Sequence, residues 1–449
     1  MADTRGRGGP PRGRPRPPRA ATRAPQYGAP VELTVDSIAA GGDGVGRVGG
    51  MVAFVPRTAP GDLARVRLAP GDRFARGVLD AVVAPGPGRV EPPCPHYTRD
   101  RCGGCQVQHL AYDAQLAAKR AIVGDALARI GRVAADVAPV QASPRAWRYR
   151  RKLTLALRRR GGGWIAGLHP HDAPGAVFAL ADCPITDERV VDVWRAVLAA
   201  ADLLPNDAPA LRGAVRVVSA EGAPVRATFA LEGGRVWRDP EALADAVPAL
   251  AAIWWEPDGG RRRIVVDRRG DALPGASFAQ VNPAMASELG RAVLDAVLGF
   301  APRRVVDGYA GAGDTAAALA AAGVVPTAVE LDPEAARYAA DRLGAAGRVL
   351  VGRVEDVLAA ALPADVVVLN PPRAGLDARV PEALERAAAG TDAPRGLVYV
   401  SCNPATLARD LARLPSYRVR RVQPFDMFPQ TAHVETLVVL ERATPEPTA

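Results

Sequence analysis

Lysine is nearly absent from this chain of 449 residues: of 57 Lys and Arg together, only Lys119 and Lys152 are lysine. With abundant Ala and Gly, the pattern reads as a GC-rich coding bias, so the richness in Arg carries little functional meaning. Aromatic residues make up only 5% of the chain and no uninterrupted run of 18 apolar residues occurs, so a membrane-spanning helix is not expected. The N-terminus has Arg, Gly and Pro where a signal peptide has an apolar core. A cytoplasmic protein without a membrane partner is therefore expected. Cysteine is also scarce, with five in the chain. In a reducing compartment so few thiols suit metal binding or catalysis better than disulfides.

What is present describes a folded protein of two to four domains, with 48% apolar residues and a mean hydropathy near zero. The net charge of +9 is uneven, because residues 1–28 hold seven Arg and one Asp. That Pro/Gly/Arg tail is expected to be a solvated, disordered arm able to touch RNA nonspecifically. Residues 30–83 read as short strands joined by glycine turns: Val31–Val35, Met51–Val55 and Ala64–Leu68. They suggest a closed barrel of about five strands, like the oligonucleotide-binding fold. From Leu110 to Arg132, Leu116, Val123, Leu127 and Ile130 recur at helical spacing. Residues 140–280 are mixed and mostly β; there Tyr149, Arg150, Arg151 and Lys152 form a basic aromatic strand. Such a strand could hold phosphates and stack a base, or be a solvated sheet face. Beyond Gly290, Ala-rich helices alternate with Val-rich strands, the pattern of an α/β domain with a parallel sheet wound on both sides.

Chemistry is signalled where those strands end. Val305-Val306-Asp307 runs into Gly308-Tyr309-Ala310-Gly311-Ala312-Gly313-Asp314, and Glu330 closes the next strand 17 residues after Gly313. Glycines admit a ligand close to the backbone, and a carboxylate at that strand end can bind both ribose hydroxyls. The run fits neither a dinucleotide fingerprint nor a phosphate loop with Lys-Ser/Thr. A nucleoside cofactor lacking phosphate is expected, namely S-adenosylmethionine. A third strand ends in Asn370-Pro371-Pro372-Arg373, where two prolines hold Asn370 at the sheet edge. A fourth ends in Ser401-Cys402-Asn403-Pro404, and Phe425 to Glu435 follows near the end. Singly, a strand-end thiol reads as inert packing and Glu435 as a solvated charge. Together, beside a cofactor edge, they suit a specific reaction. C5 of uracil is too weakly nucleophilic to take a methyl group, but thiolate addition at C6 makes it enolate-like. A base must then remove the C5 proton. Cys402 suits the first role and Glu435 the second.

From residue 30 to 440 the chain resembles the bacterial RNA uracil-5-methyltransferases that carry an N-terminal TRAM domain and an iron-sulfur cluster. The resemblance implies a TRAM barrel over 29–86, a central domain over 87–285 and a Rossmann-like methyltransferase domain over 286–449. It implies that Cys402 of Ser-Cys-Asn-Pro is the nucleophile and Glu435 of His-Val-Glu the base. In Phe278-Ala279-Gln280-Val281-Asn282 it makes Gln280 a cofactor contact, together with Tyr309 and Glu330. Two departures from the family pattern stand out: Asn370 replaces the usual Asp and Asp314 the usual Asn, as if a charge beside the cofactor had been moved.

Cys94-x7-Cys102-Gly103-Gly104-Cys105 and the distant Cys183 form a thiolate set that suits either zinc or an iron-sulfur cluster. The resemblance implies a structural 4Fe-4S cluster. Radical methylthiotransferases also join TRAM to clusters, but their Cys-x3-Cys-x2-Cys pattern is missing. The expected function is 5-methyluridine formation by a monomeric enzyme, preferably in 23S rRNA, with tRNA the alternative. An amino-methylating enzyme would use Asn-Pro-Pro but wants an aromatic where Arg373 stands, and needs no Cys402. A catalytically silent RNA-binding protein is the remaining alternative.

Overall fold

The computed structural model describes residues 26–270, 280–390 and 393–443, so the tail up to residue 25, Phe278 and Ala279 lie outside the described residues. The first sheet contains β1 (Pro30–Ile38), β2 (Gly44–Val48), β3 (Met51–Val55), β4 (Leu63–Pro70) and β5 (Ala75–Ala84), closed in the order β1-β2-β3-β5-β4. Alternation along these strands sends Leu33, Val55, Ala64 and Val66 inward. Gly46 lies so close to β1 that a Cβ there would stand 2.3 Å from the Thr34 carbonyl oxygen. The chain leaves the barrel past the fully buried Asp62. Its carboxylate accepts from the Ala59 amide at 2.7 Å, the Gly86 amide at 2.8 Å and the Arg89 guanidinium at 2.6 Å.

The second sheet holds β6 (Lys152–Arg160), β7 (Gly163–Leu168), β8 (Phe178–Ala179), β9 (Ala210–Val217), β10 (Ala227–Glu232), β11 (Leu250–Glu256) and β12 (Arg263–Asp267). The order is β12-β11-β10-β9-β6-β7-β8, antiparallel except for the β10–β11 pair. Leu153, Leu155 and Leu157 on alternate positions of β6 share a core with Trp194 of the helix Glu188–Ala199 and Leu243 of the helix Pro240–Ala246.

The third sheet contains β13 (Arg304–Gly308), β14 (Val325–Glu330), β15 (Arg348–Val351), β16 (Val366–Leu369), β17 (Gly396–Ser401), β18 (Tyr417–Phe425) and β19 (Glu435–Arg442), ordered β15-β14-β13-β16-β17-β19-β18. β13 to β17 are parallel and alternate with helices. The expectation of a purely parallel sheet fails at one side, where β19 runs antiparallel to both β17 and β18. The connection from Phe425 to Glu435 contains no crossover helix, and a parallel return would need one.

Two further expectations change, and one packing arrangement is new. The helix from Tyr112 ends at Ala126 and continues as a π-turn over Leu127–Gly131. The wider turn rotates Ile130 off the apolar stripe and leaves it 50% exposed. Val123, Leu127 and Val137 belong to the core of the third sheet, with Val306 and Tyr399, although they precede the second sheet in sequence. Tyr149 is buried and donates to the Pro429 carbonyl oxygen at 3.0 Å, so it is not available to stack on a base. Among the described residues no helix is long and apolar enough to cross a membrane.

Asp62→Ala would leave the Arg89 guanidinium, 18% exposed, without its counter-charge. A loss of about 3 kcal/mol is expected, read as an earlier first transition in urea denaturation of the full chain.

Candidate active site

Parallel strands deliver their last residues to one edge, and Tyr309, Glu330, Asn370 and Cys402 all follow or close strands there. β19 runs the other way, so its first residue, Glu435, arrives at the same edge. Ser401 pairs with Thr436; Cys402 follows the one and Glu435 precedes the other, and the Glu435 charge acts on the thiol. On the other side of β19, Glu435 pairs with Phe425.

Local sequence leaves Cys402 free to react. Asn403 caps the helix Pro404–Leu411 through the Ala405 amide, and Pro404 opens it. The Asn403 side-chain amide also donates to the Arg373 carbonyl oxygen at 3.1 Å, and Arg409 donates to that of Ala374 at 2.9 Å. The buried Asp410 accepts from the Leu376 amide and the Tyr399 hydroxyl, both at 2.8 Å. These bonds tie the Asn370-Pro371-Pro372-Arg373 turn to the Cys402 helix, and set the Arg373 guanidinium beside the thiol and Glu435.

The half-buried Cys402 thiol is pushed up by burial and by the charge of Glu435, and pulled down by Arg373. Glu435 is 3% exposed, and burial raises its carboxyl to about 7 against the opposing pull of Arg373. A thiol and a proton-accepting carboxylate close together beside a fixed cation can support nucleophilic addition followed by proton removal.

A neighbouring pocket of about 410 Å³ is lined by Tyr309, Glu330, Glu355, Pro372 and Asp377, among others. Glu330 holds its mouth together, accepting from the Gly311 amide and from the Asp332 amide, each at 2.8 Å. Tyr309 has φ of 63°, an uncommon conformation for a residue with a side chain. Gly313 has φ of 78°, and a Cβ there would meet Ala339 at 2.7 Å. Gln280, Asp314 and Asn370 lie outside this lining. Asp314 instead pairs with Arg342 at 2.5 Å and is 87% exposed. Gln280 is half-buried and Asn370 exposed.

Sequence reasoning passed over Asp307, buried where β13 ends. One of its oxygens lacks a hydrogen-bond partner, and burial raises the carboxyl to about 7. A charged residue inside an apolar strand was the available signal. Glu355, in ion pairs with Arg353 and Arg379, was missed as well.

Cys94, Cys102, Cys105 and Cys183 are buried and line one cavity of about 280 Å³, with His433 and Arg150 also in its wall. Among the described residues no three His, Cys, Asp or Glu side chains are grouped as a single metal ion requires.

Residues 333–443 match the family model described as tRNA (Uracil-5-)-methyltransferase. The chain is 35% identical to an uncharacterized RNA methyltransferase of Thermosynechococcus vestitus, covering 92% of this chain and 98% of that one. A Halalkalibacterium halodurans protein of the same description is also 35% identical, over 92% and 96%. Among solved structures, the Pyrococcus abyssi tRNA (uracil-54, C5)-methyltransferase in complex with S-adenosyl-L-homocysteine aligns with a TM-score of 0.67 at 25% identity, over 91% of this chain and all of that one.

Because the neutral form of Glu435 is favoured in the fold, its contribution to stability is complete below the ordinary glutamate range. It is lost as the pH rises from there through about 7, roughly 3 kcal/mol in all. Glu435→Gln should be the more stable protein at pH 8 and lose that advantage near pH 4.5 in urea denaturation. An advantage independent of pH would contradict this assignment.

Proposed function

The chain belongs to the RNA uracil-5-methyltransferase family, and we propose that it converts a uridine of RNA to 5-methyluridine through a transient bond between Cys402 and C6 of the base. The closeness of Cys402 and Glu435 beside the Ser401–Thr436 pair, near enough for the carboxylate charge to act on the thiol, is the observation that carries this assignment. S-adenosylmethionine, when bound, supplies a methyl group made electrophilic by its sulfonium. Tyr309 and the Glu330 carboxylate are suited to hold it in the 410 Å³ pocket. Gln280, Asn370 and Asp314 are proposed contacts carried over from the family resemblance. They stand outside that lining, so the first two would reach the methyl end and Asp314 would act through the loop.

The half-buried Cys402 thiol gives its proton to solvent, with Arg373 opposing the cost of the charge; the thiolate adds to C6 and the C5=C6 electrons move toward O4. Once C5 carries the methyl group, Glu435 takes the C5 proton. The C–H electrons restore the double bond, the C6–S bond breaks and the thiolate is returned. A carboxyl titrating near 7 is suited to accept and release that proton near neutrality. The target base must be turned out of its stack to reach the edge.

The barrel is proposed to be a TRAM-type grip on RNA, and the four-cysteine cavity to hold a structural 4Fe-4S cluster through Cys94, Cys102, Cys105 and Cys183. Iron and acid-labile sulfide in anaerobically purified protein, rather than zinc, are the expected content. Ribosomal RNA is the proposed substrate. Transfer RNA is the second reading, favoured by the substrate of the Pyrococcus abyssi enzyme. Mapping 5-methyluridine in both RNAs from a deletion strain separates them. Cys402→Ala should lose all methylation. Glu435→Gln should accumulate an RNA adduct stable to denaturant, because the methylated intermediate cannot be resolved. Methylation by Cys402→Ala at a wild-type rate would end the covalent proposal.

A further inference from the structure

In a chain where 57 basic residues include only two lysines, Lys119 sits 1% exposed in the helix Tyr112–Ala126. Its ammonium donates to Asp426 Oδ1 and, at 3.0 Å, to the Phe428 carbonyl oxygen. Asp426 is fully buried. A compact ammonium satisfies these two acceptors, whereas a guanidinium would bring five donors into a space with too few partners. The coding bias toward Arg therefore stops where the geometry demands a small cation.

Asp426 follows Phe425, the residue paired with Glu435. The segment from Asp426 to Val434 thus leaves and re-enters the sheet at the rung that carries the carboxylate. It is held along its length by buried side chains distant in sequence. The Asn282 side-chain amide donates to the Met427 carbonyl oxygen at 3.3 Å. Gln115 donates to the Gln430 side chain at 2.9 Å and accepts from the Gln430 amide at 3.0 Å.

We propose that the buried Lys119–Asp426 pair is a positioning device for Glu435, fixing the segment in one register so that the carboxylate meets the C5 proton of the covalent intermediate. This rests on the covalent route proposed above. Lys119 touches no reacting atom. Its effect is expected at the step after methyl transfer, because Cys402 is placed by β17 and the Asn403 cap, whereas the hydrogen bonds of Lys119 go to Asp426 and Phe428.

The test uses the full-length protein carrying Lys119→Met with Asp426→Asn, so that neither charge is left buried alone, and Lys119→Arg, which keeps the charge but not the shape, if the double variant is unstable. RNA transcripts containing 5-fluorouridine trap the wild-type enzyme without proton removal, since fluorine replaces the C5 hydrogen. The variant should trap at the wild-type rate and bind RNA as tightly. On natural RNA its turnover should fall on the order of 10²-fold, the usual contribution of a positioned general base, with a methylated covalent adduct accumulating. Equal losses of trapping and turnover, or turnover within twofold of wild type, would overturn the positioning role. Failure of the wild-type enzyme to trap would instead remove the covalent route, and the positioning role with it.

Discussion

The active edge depends on β19 entering the sheet antiparallel to β17. A parallel neighbour could offer only the residue at its own carboxyl end, and by way of a crossover helix. The reversed strand offers its first residue, so Glu435 arrives beside Cys402, next to the Ser401–Thr436 pair. The same placement buries the carboxyl, and burial holds it near neutrality in its titration. Stability is given up at the carboxyl proposed to act as the base.

Around that edge the chain is stitched together against its sequence order. Val123, Leu127 and Val137, which precede the second sheet, pack into the third. Main-chain bridges from Val137 to Val422 and from Gln141 to Phe425 extend the contact along β18. The segment between Asp426 and Val434 becomes a shared wall. Its Pro429 carbonyl meets Tyr149, and His433 borders the cavity of the four cysteines. Elements from all parts of the described chain therefore converge behind one carboxylate, which accounts for buried polar bonds spanning some 300 positions of sequence.

Local signals were enough to place Cys402, Glu435, the Gly311–Gly313 turn and Glu330 at strand ends, because the change between an apolar strand and a turn is written in a few consecutive residues. The barrel was legible for the same reason. Ile130 was misread because a π-turn changes the helical period without a mark in composition. Tyr149 looked like a base-stacking surface because nothing adjacent to it reveals that Pro429 will cover it. Asp307 and Lys119 were noticed only as letters, since the burial that makes them consequential is a property of their neighbours in space.

Sequence by itself determined which segments become strands, which residues can attack or accept a proton, and that four cysteines stand apart from a fifth. These follow from side-chain chemistry and from periodicities that act over a few residues. Tertiary structure alone decided that the last strand is reversed, that the four thiols share one cavity, and that Lys119 reaches Asp426. Those outcomes depend on which apolar faces find each other, and burial and pairing between residues hundreds of positions apart leave no periodic trace along the chain.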